Sequence, residues 1–239
     1  MWLRHAVAAA AVSAALLSAP QPGSASTITL NTWSFAAGSQ TIGGPVNPGG
    51  FPGGVNAGLF QLNTTAGTLY GFCIDLFNTI QNNTTYQVAP LAAAGDSTPG
   101  VLPVDYPLST TQLKQINWLT LEAVKELGNL TLTAARSAAY QVKVWQVAYG
   151  GAFSAGSIPA AVNTALTAIS AALAAADLST VNIPFGLTAV NARGQPIARQ
   201  GLVVGNPDPI KVPEPASLAL LGAGLLGLGA MARRRRTVH

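Results

Sequence analysis

The C-terminal stretch of the chain sets the strongest limit on what the rest can fold into. Two prolines frame a glutamate at Pro213-Glu214-Pro215, an uncharged apolar segment covers residues 216–232, and four arginines occupy residues 233–236. Proline lacks an N–H and biases the residue before it away from the α region, so a helix can begin only after Pro215. As a helix, the apolar segment would reach roughly 25 Å at about 1.5 Å per residue. This length is at the short limit for spanning a hydrocarbon core.

The arginines predict how this segment is oriented. Positive charge stays on the cytoplasmic side of a membrane helix, so the chain before Pro213 is expected outside the membrane. We therefore predict a linker at 206–212 and a single transmembrane helix at 216–232. The predicted cytoplasmic stop consists of Arg233, Arg234, Arg235 and Arg236. The alternative is a buried C-terminal core helix, which four adjacent arginines after a uniformly apolar segment disfavour.

The N-terminus carries a second targeting segment. Arg4 and His5 form a basic start, residues 6–17 are apolar, and small residues precede Ser26. This order is typical of a secretory signal peptide, so we predict a signal peptide at residues 1–25. One domain remains to be folded, over residues 26–205.

The charge of that domain excludes one class of partner. Between residues 26 and 212 there are seven lysines and arginines and seven aspartates and glutamates, so the excess positive charge lies in the targeting segments. A nucleic-acid-binding domain needs a basic face. We therefore expect no nucleic-acid partner.

Composition also limits the chemistry of the domain. Both histidines, His5 and His239, lie in the targeting segments, and the chain has one cysteine, Cys73. These counts leave no Ser-His-Asp or Cys-His arrangement, no histidine metal site and no internal disulfide. No calcium-loop or nucleotide-binding motif is present. We predict a protein that is not an enzyme and that has no metal site and no cofactor.

Hydrophobic periodicity predicts an α+β domain, with antiparallel strands flanking a central segment of two to three helices. The predicted strands cover residues 28–35, 59–63, 68–78, 84–88, 181–190 and 196–204. The Gly- and Pro-rich residues 38–54 and residues 90–107 are predicted to be loops. The predicted helices run from a cap at Ser109 or Thr110 to Gly128, from 134 to 149 after a cap at Thr131 or Thr133, and from 160 to 176.

The three parts of the tail, in this order, resemble the PEP-CTERM sorting signal of Gram-negative bacteria. The resemblance implies export, transient retention in the inner membrane, and processing near Pro213-Glu214-Pro215 by an exosortase-type enzyme. Proteins of this kind are associated with exopolysaccharide-producing, biofilm-forming species. The resemblance thus implies an inner-membrane-anchored precursor with a periplasmic domain, which then reaches the cell surface or the extracellular matrix.

The single cysteine is the second feature that points to a function. An unpaired thiol in an oxidising compartment either is exposed to unwanted oxidation or serves a function. Cys73 lies in an aromatic-Cys-aliphatic-Asp strand motif, and Gln141 begins a Gln-x-x-aliphatic-Trp helix motif that ends at Trp145. The two motifs together resemble the thioester domains of bacterial surface adhesins.

That resemblance implies a specific reaction. The sulfur of Cys73 attacks the side-chain amide of Gln141 and expels ammonia, and an amine or hydroxyl on a partner surface then captures the acyl group. Trp145 lies one helical turn after Gln141 on the same face and is expected to shield the bond from water. The family usually has a small residue where this chain has Lys143, a competing amine that we expect to point elsewhere.

Simpler interpretations stand beside these. Cys73 fits a small buried hydrophobic position, Gln141 fits a helix surface, and Trp145 fits a core position at helical spacing. Glu122 and Glu126 are one helical turn apart. They are either a pair of carboxylates that act together or part of a solvent-exposed helix face.

We therefore expect an exported cell-surface or exopolysaccharide-matrix-associated protein with a binding or structural role and a Cys73–Gln141 thioester as its means of attachment. The alternative is a secreted enzyme that acts on exopolysaccharide. Glycoside hydrolysis normally needs two carboxylates about 5–9 Å apart. An acid facing Asp75, Asp96 or Asp105 across a cleft would therefore favour the enzyme.

Overall fold

The structure is a computed structural model that describes residues 26–47, 52–76, 78–91 and 108–205. Within these ranges the chain forms nine strands and three α-helices. The strands are β1 (Ser26–Phe35), β2 (Gln40–Asn47), β3 (Val55–Ala57), β4 (Phe60–Thr64), β5 (Gly67–Cys73), β6 (Thr84–Pro90), β7 (Ser154–Ser157), β8 (Phe185–Ala189) and β9 (Leu202–Val204). The helices are α1 (Thr110–Gly128), α2 (Ala134–Tyr149) and α3 (Ala160–Ala175), with a 3-10 turn at Gly150–Ala152.

Six of the strands close into an antiparallel barrel in the order β1-β4-β5-β9-β8-β6. Burial along β4 alternates, with Phe60, Leu62 and Thr64 buried and the residues between them half-buried. This period of two places alternate side chains on the inner face of the barrel. Closure also pairs both edges of each of these strands, which removes exposed edges.

The register of the barrel determines which side chains face its interior. Cys73 pairs with Leu202, and Leu202 pairs in turn with Leu187. Directly paired residues of antiparallel strands share a face. The side chain of Cys73, the last residue of β5, therefore points into the barrel with Leu187 and Leu202, all of them buried.

A second, three-stranded sheet has the order β3-β2-β7, and its central strand lies in the segment for which the sequence predicts a loop. That loop prediction is wrong for Gln40–Asn47, which forms β2. A Cβ on Gly43 would lie 2.0 Å from Ser157 Oγ, and a Cβ on Gly44 would lie 2.2 Å from the carbonyl oxygen of Pro52. Gly43 therefore leaves room for the Ser157 hydroxyl of β7, and Gly44 allows the Pro52 backbone to approach β2 closely.

The helices begin where their capping residues predict. Ser109 accepts a hydrogen bond from the Gln112 N–H while the Gln112 side chain binds back to the Ser109 N–H, which is a complete capping box at α1. Thr133 caps α2 through the Arg136 N–H. Helix α2 packs against α1 and α3, and α1 and α2 both contact β5.

The predicted combination of antiparallel strands with three helices is confirmed, whereas barrel closure is not evident from the sequence. Strand β5 ends at Cys73 rather than at residue 78, because β4 starts opposite Gly71 and β9 extends only as far as the pair with Cys73. Each strand therefore ends where its neighbours in the barrel stop pairing with it.

Both predicted targeting segments lie outside the described residues. The first is the signal peptide at 1–25, and the second is the C-terminal tail with the linker that precedes it. The linker at 206–212 is followed by the sorting residues Pro213, Glu214 and Pro215, the transmembrane helix at 216–232, and the cytoplasmic stop formed by Arg233, Arg234, Arg235 and Arg236. Among the residues described, no helix is both long and apolar enough to cross a membrane. The transmembrane helix and the cytoplasmic position of the arginines therefore stay predictions.

Candidate functional site

Cys73 and Gln141 are in contact in the core, 68 positions apart in the chain. The Cys73 N–H donates to Gln141 Oε1 at 3.0 Å, and Gln141 Nε2 donates to the Cys73 carbonyl oxygen at 2.7 Å. The Gln141 side chain is fully buried, so its interpretation as a helix-surface residue is wrong. The structure thus brings the two predicted thioester residues together.

The two hydrogen bonds explain why Gln141 is buried at this position. The last residue pair between β4 and β5 joins Phe60 to Gly71, so Cys73 extends past the end of β4. Its backbone N–H and carbonyl would lack partners there without the carboxamide of Gln141. A buried backbone group that lacks a partner is costly. The Gln141 carboxamide on α2 therefore takes the place of a neighbouring strand and forms the two hydrogen bonds that β4 would otherwise supply to Cys73.

Helix α2 docks on this rim of the barrel through a stripe of residues at four-residue spacing. Ser137 Oγ accepts a hydrogen bond from the Leu59 N–H at 2.7 Å. Three turns further along, the Tyr149 hydroxyl accepts from the Leu76 N–H at 3.0 Å. Gln141 and Trp145 lie between these two anchors, and residues four apart share one helix face. The stripe therefore holds Gln141 and Trp145 against the end of β5.

The sulfur of Cys73 contacts a second glutamine that sequence reasoning missed. Gln200 Nε2 lies 2.5 Å from Cys73 Sγ and 3.3 Å from the Asp75 carbonyl oxygen. Cys73 Sγ itself donates to that carbonyl at 2.7 Å. Gln200 precedes Leu202, the partner of Cys73, by two residues, so the pairing of β9 with β5 brings it to the sulfur. Only the pairing of β5 with β9 would have pointed to it.

Burial determines the acidity of the Cys73 thiol. Removal from water raises its pKa far above the ordinary value, and the charge of Asp75 adds to the increase. Polar contacts with Trp145, the Asp75 backbone and Gln200 lower the pKa but are weaker than burial. The free thiol is therefore protonated at neutral pH and is a poor nucleophile toward reagents in solution.

Trp145 covers the site from α2. It is 2% exposed, and its ring stacks on Phe153 with ring centroids 6.0 Å apart. Tyr140, Val144 and Ala148 of the same helix are buried as well. The placement agrees both with shielding of a bond at Cys73 and with an ordinary core tryptophan.

The predicted competing amine points away from the site. Lys143 Nζ lies 3.5 Å from Gln146 Oε1 on the same helix. The lysine is half-buried, and burial lowers its pKa. Its contact with Gln146 directs the ammonium along α2 rather than toward Cys73.

Among the described acidic candidates on α1, Glu122 and Glu126 have separate partners and do not share a site. Glu122 pairs with the exposed Lys125 at 3.2 Å, whereas Glu126 forms a bidentate pair with Arg136. Asp96 and Asp105 lie outside the described residues. No group of three or more His, Cys, Asp or Glu side chains in the described part could hold a metal ion.

An open groove of the domain is separate from Cys73. It has a volume of about 1380 Å³ and is lined by α1 and by residues of β4, β5, β8 and β9. Tyr70, Asn117, Phe185 and Gly205 are among the residues that line it, and Glu122 is the one carboxylate among its described lining residues. A two-carboxylate mechanism therefore finds no pair among them.

Comparison with known proteins identifies the tail. Residues 211–236 match the PEP-CTERM protein-sorting motif. The match includes Pro213, Glu214, Pro215, Arg233, Arg234, Arg235 and Arg236, which confirms the predicted sorting motif and leaves the membrane orientation as a prediction. Curated proteins and solved structures gave no match, so the domain at residues 26–205 is interpreted from its own geometry. The chain carries the sorting motif of an exported protein that is processed by an exosortase.

Proposed function

We propose that the exported domain attaches covalently to the cell surface or to the exopolysaccharide matrix through an acyl group held on Cys73. The observation that carries the proposal is the position of Cys73, which is buried in the core with the Gln200 carboxamide at its sulfur and the Gln141 carboxamide at its backbone. This is a binding and structural role in which the chain itself is consumed as the reactant. We therefore assign no enzymatic turnover.

The reaction begins with the internal thioester. Cys73 Sγ attacks the side-chain carbonyl carbon of a glutamine, a C–S bond forms, and the C–N bond breaks. The thiol proton leaves with the amide nitrogen as ammonia. An amine or hydroxyl on the partner then attacks the same carbon, which forms an amide or ester and returns the proton to the cysteine sulfur.

The geometry favours Gln200 as the acyl donor. Both polar atoms of the Gln141 carboxamide are bound to the Cys73 backbone, and attack on that amide would break two buried hydrogen bonds. The Gln200 carboxamide instead lies directly at the sulfur, 2.5 Å from it through Nε2. In this arrangement Gln141 positions Cys73. The sequence motif favours Gln141 as the donor, and this prediction remains the alternative to be tested.

The surroundings of Cys73 suit the storage of an acyl group. A thioester carries no charge, so it avoids the desolvation penalty that a buried thiolate would incur. The 1% exposure of Cys73 and the cover of Trp145 also restrict access of water to the bond. The bond would therefore persist until a nucleophile from a partner surface reaches the carbonyl.

Two other roles compete with this proposal. Cys73 could serve purely as a buried core residue, which its burial also fits. A secreted enzyme that acts on exopolysaccharide is the second alternative, and the single carboxylate among the described residues of the groove gives it less support.

Intact mass of the exported protein, purified from the exporting cell, tests the proposal. Its two termini, identified by peptide sequencing, set the mass expected without a thioester. The measured mass should be lower by one ammonia, and the deficit should disappear in Cys73→Ala and Gln200→Ala. Gln146→Ala, on the same helix as Gln141, should retain the deficit.

The variants also separate the two donors. Loss of the deficit in Gln141→Ala together with its retention in Gln200→Ala would assign the acyl group to Gln141. A wild-type protein of full mass, with a thiol that alkylates after unfolding, would overturn the proposed function.

A further inference from the structure

Two buried hydrogen-bond donors near Cys73 have no partner. Within the described residues, neither the Tyr86 hydroxyl nor the Trp145 indole nitrogen has a hydrogen-bond partner. Tyr86 is 0% exposed and Trp145 is 2% exposed. Buried polar side-chain atoms are nearly always hydrogen-bonded in folded proteins, so two orphans at one site require an explanation.

Trp145 reaches the site from the helix side. It lies one turn after Gln141, whose carboxamide is bound to the Cys73 backbone at 2.7 and 3.0 Å. The indole is close enough to the sulfur to lower the pKa of Cys73, although the contact lacks the geometry of a hydrogen bond. The N–H of Trp145 is therefore next to the sulfur without a carbonyl or carboxylate to accept it.

Tyr86 reaches the site from inside the barrel. It pairs with Ala189, which is two residues from Leu187 on β8. Leu187 connects through Leu202 to Cys73 by direct pairing, so Tyr86 and Cys73 share the interior face. Burial, and then repulsion by Cys73 in its ionised form, raise the pKa of Tyr86 to about 12, so the two groups lie within electrostatic range of each other.

We propose that Trp145 and Tyr86 form an oxyanion hole that binds the carbonyl oxygen of an acyl group on Cys73. The inference rests on the proposed function and adds two catalytic residues to it. The acyl oxygen would accept from Trp145 Nε1–H on one side and from the Tyr86 hydroxyl on the other. Both orphan donors would then be satisfied.

The two donors act on charge that develops during the reaction. When sulfur or an incoming amine attacks the carbonyl carbon, the oxygen gains negative charge while the tetrahedral intermediate exists. Donors fixed in a dry site stabilise this charge without reorganisation, and removal of one typically slows such reactions on the order of 10²-fold. Neither donor gives up its proton, because the proton of the attacking group goes to the leaving atom.

Two conservative variants test the proposal on the exported protein. Trp145→Phe and Tyr86→Phe retain an aromatic ring and remove only the donor. Thr188→Val is the matched control. In the described part of the chain its hydroxyl is a third buried group without a hydrogen-bond partner, but it lies between Leu187 and Ala189 and therefore faces away from Cys73.

The rate is measured as the opening of the thioester by methylamine, followed over time by mass spectrometry. Each donor variant should react on the order of 10²-fold more slowly than the wild type, and Thr188→Val should react at the wild-type rate. Isotope-edited infrared spectroscopy of wild type labelled with ¹³C-glutamine gives a readout that needs no variant. The thioester carbonyl band should lie below that of a thioester without hydrogen bonds.

The outcomes separate this inference from the proposed function. A wild-type thioester with an unshifted carbonyl band, and wild-type opening rates in both donor variants, would overturn the oxyanion hole and leave the thioester intact. A wild type without the ammonia deficit would overturn both.

Discussion

Cys73 shows how the chemistry of one residue depends on its surroundings. Burial and the charge of Asp75 raise the pKa of the thiol, which makes the free thiol unreactive. The same burial does not penalise an uncharged thioester. A cysteine that is inert as a thiol is therefore well placed to hold an acyl group.

Gln141 is predicted to be a major contributor to stability at this rim. Gln141→Ala removes both hydrogen bonds to Cys73 and leaves two buried backbone groups unpaired. We expect a loss of about 1–3 kcal/mol in the free energy of unfolding, measured by urea denaturation. Gln146→Ala on the half-buried side of α2 should change it by less than about 0.5 kcal/mol. Equal effects of the two variants would contradict the role assigned to Gln141.

Sequence reasoning recovered part of this site and missed part of it, for a physical reason. The proximity of Cys73 and Gln141 is what the resemblance of their two local motifs to thioester domains implies, and the structure shows the two residues in contact. Gln200 is 127 positions from Cys73, and its approach depends on the pairing of β5 with β9. Tyr86 likewise becomes part of the site only through barrel closure. Pairing between distant strands has no local sequence signal.

At the scale of secondary-structure elements, α1 and α2 are joined by one ionic cluster. Arg136 and the Tyr140 hydroxyl both donate to the carboxylate of Glu126, and the Tyr140 ring stacks on Phe72, the neighbour of Cys73. Burial by itself would raise the pKa of Glu126, but hydrogen bonds from Arg136 and Tyr140 lower it overall. The cluster therefore fixes the helix that carries Gln141.

This cluster predicts a pH dependence of stability. A lowered pKa in the folded state stabilises the protein above the ordinary glutamate pKa of 4.5, and the stabilisation is lost as the pH falls below that value. The stability difference between wild type and Glu126→Gln should therefore shrink from pH 7 to pH 3 in urea denaturation.

Glu122→Gln serves as the control for this prediction. Its partner Lys125 is 65% exposed, and a surface ion pair of this kind contributes little. A stability difference for Glu126→Gln that stays constant from pH 7 to pH 3 would contradict the role assigned to the Glu126 cluster.

The small sheet predicts a second effect at this scale. In Gly44→Ala the new Cβ would meet the Pro52 backbone at 2.2 Å, which no side-chain rotation can relieve. We expect a loss of about 1–3 kcal/mol in the free energy of unfolding, measured by thermal or urea denaturation. Gly53→Ala is the matched control, because its Cβ would meet nothing within 4 Å. A Gly44→Ala variant as stable as Gly53→Ala would show that β2 does not pack this closely.

The elements also show where local patterns succeed. Capping residues and the 3.6-residue period predict all three helices to within a residue or two. The seven glycines of residues 38–54 predict a loop, yet part of the segment is β2. A glycine can indicate either a flexible loop or a position where another part of the chain approaches the backbone closely. Here only the contacts with Pro52 and Ser157 show that the second explanation applies.

At the scale of the whole molecule, routing and the proposed attachment belong to different parts of the chain. The sorting motif at residues 211–236 directs export and processing, whereas the neutral domain at residues 26–205 carries the Cys73 site. A covalent link made by the domain would hold it in place after the tail has been processed. The two parts are thus complementary.

Deletion of the arginine cluster tests the predicted routing. The deleted residues are Arg233, Arg234, Arg235 and Arg236. We expect weaker retention of the precursor in the membrane, measured by fractionation, because the deletion removes the positive charge that is predicted to keep this end of the segment in the cytoplasm. Replacement of the exposed Arg193 in the domain is the control. An unchanged membrane-bound precursor after the deletion would contradict the predicted orientation.

The most direct test of the thioester at Cys73 is peptide mapping of the exported protein at mildly acidic pH, where thioesters survive. We predict a cross-linked species that joins the Cys73 peptide to the Gln200 peptide, lighter than their sum by one ammonia. Methylamine should convert it into two linear peptides, with a free Cys73 thiol and a methylamide at Gln200. A linear Cys73 peptide with an unmodified thiol and no cross-linked species would contradict the account.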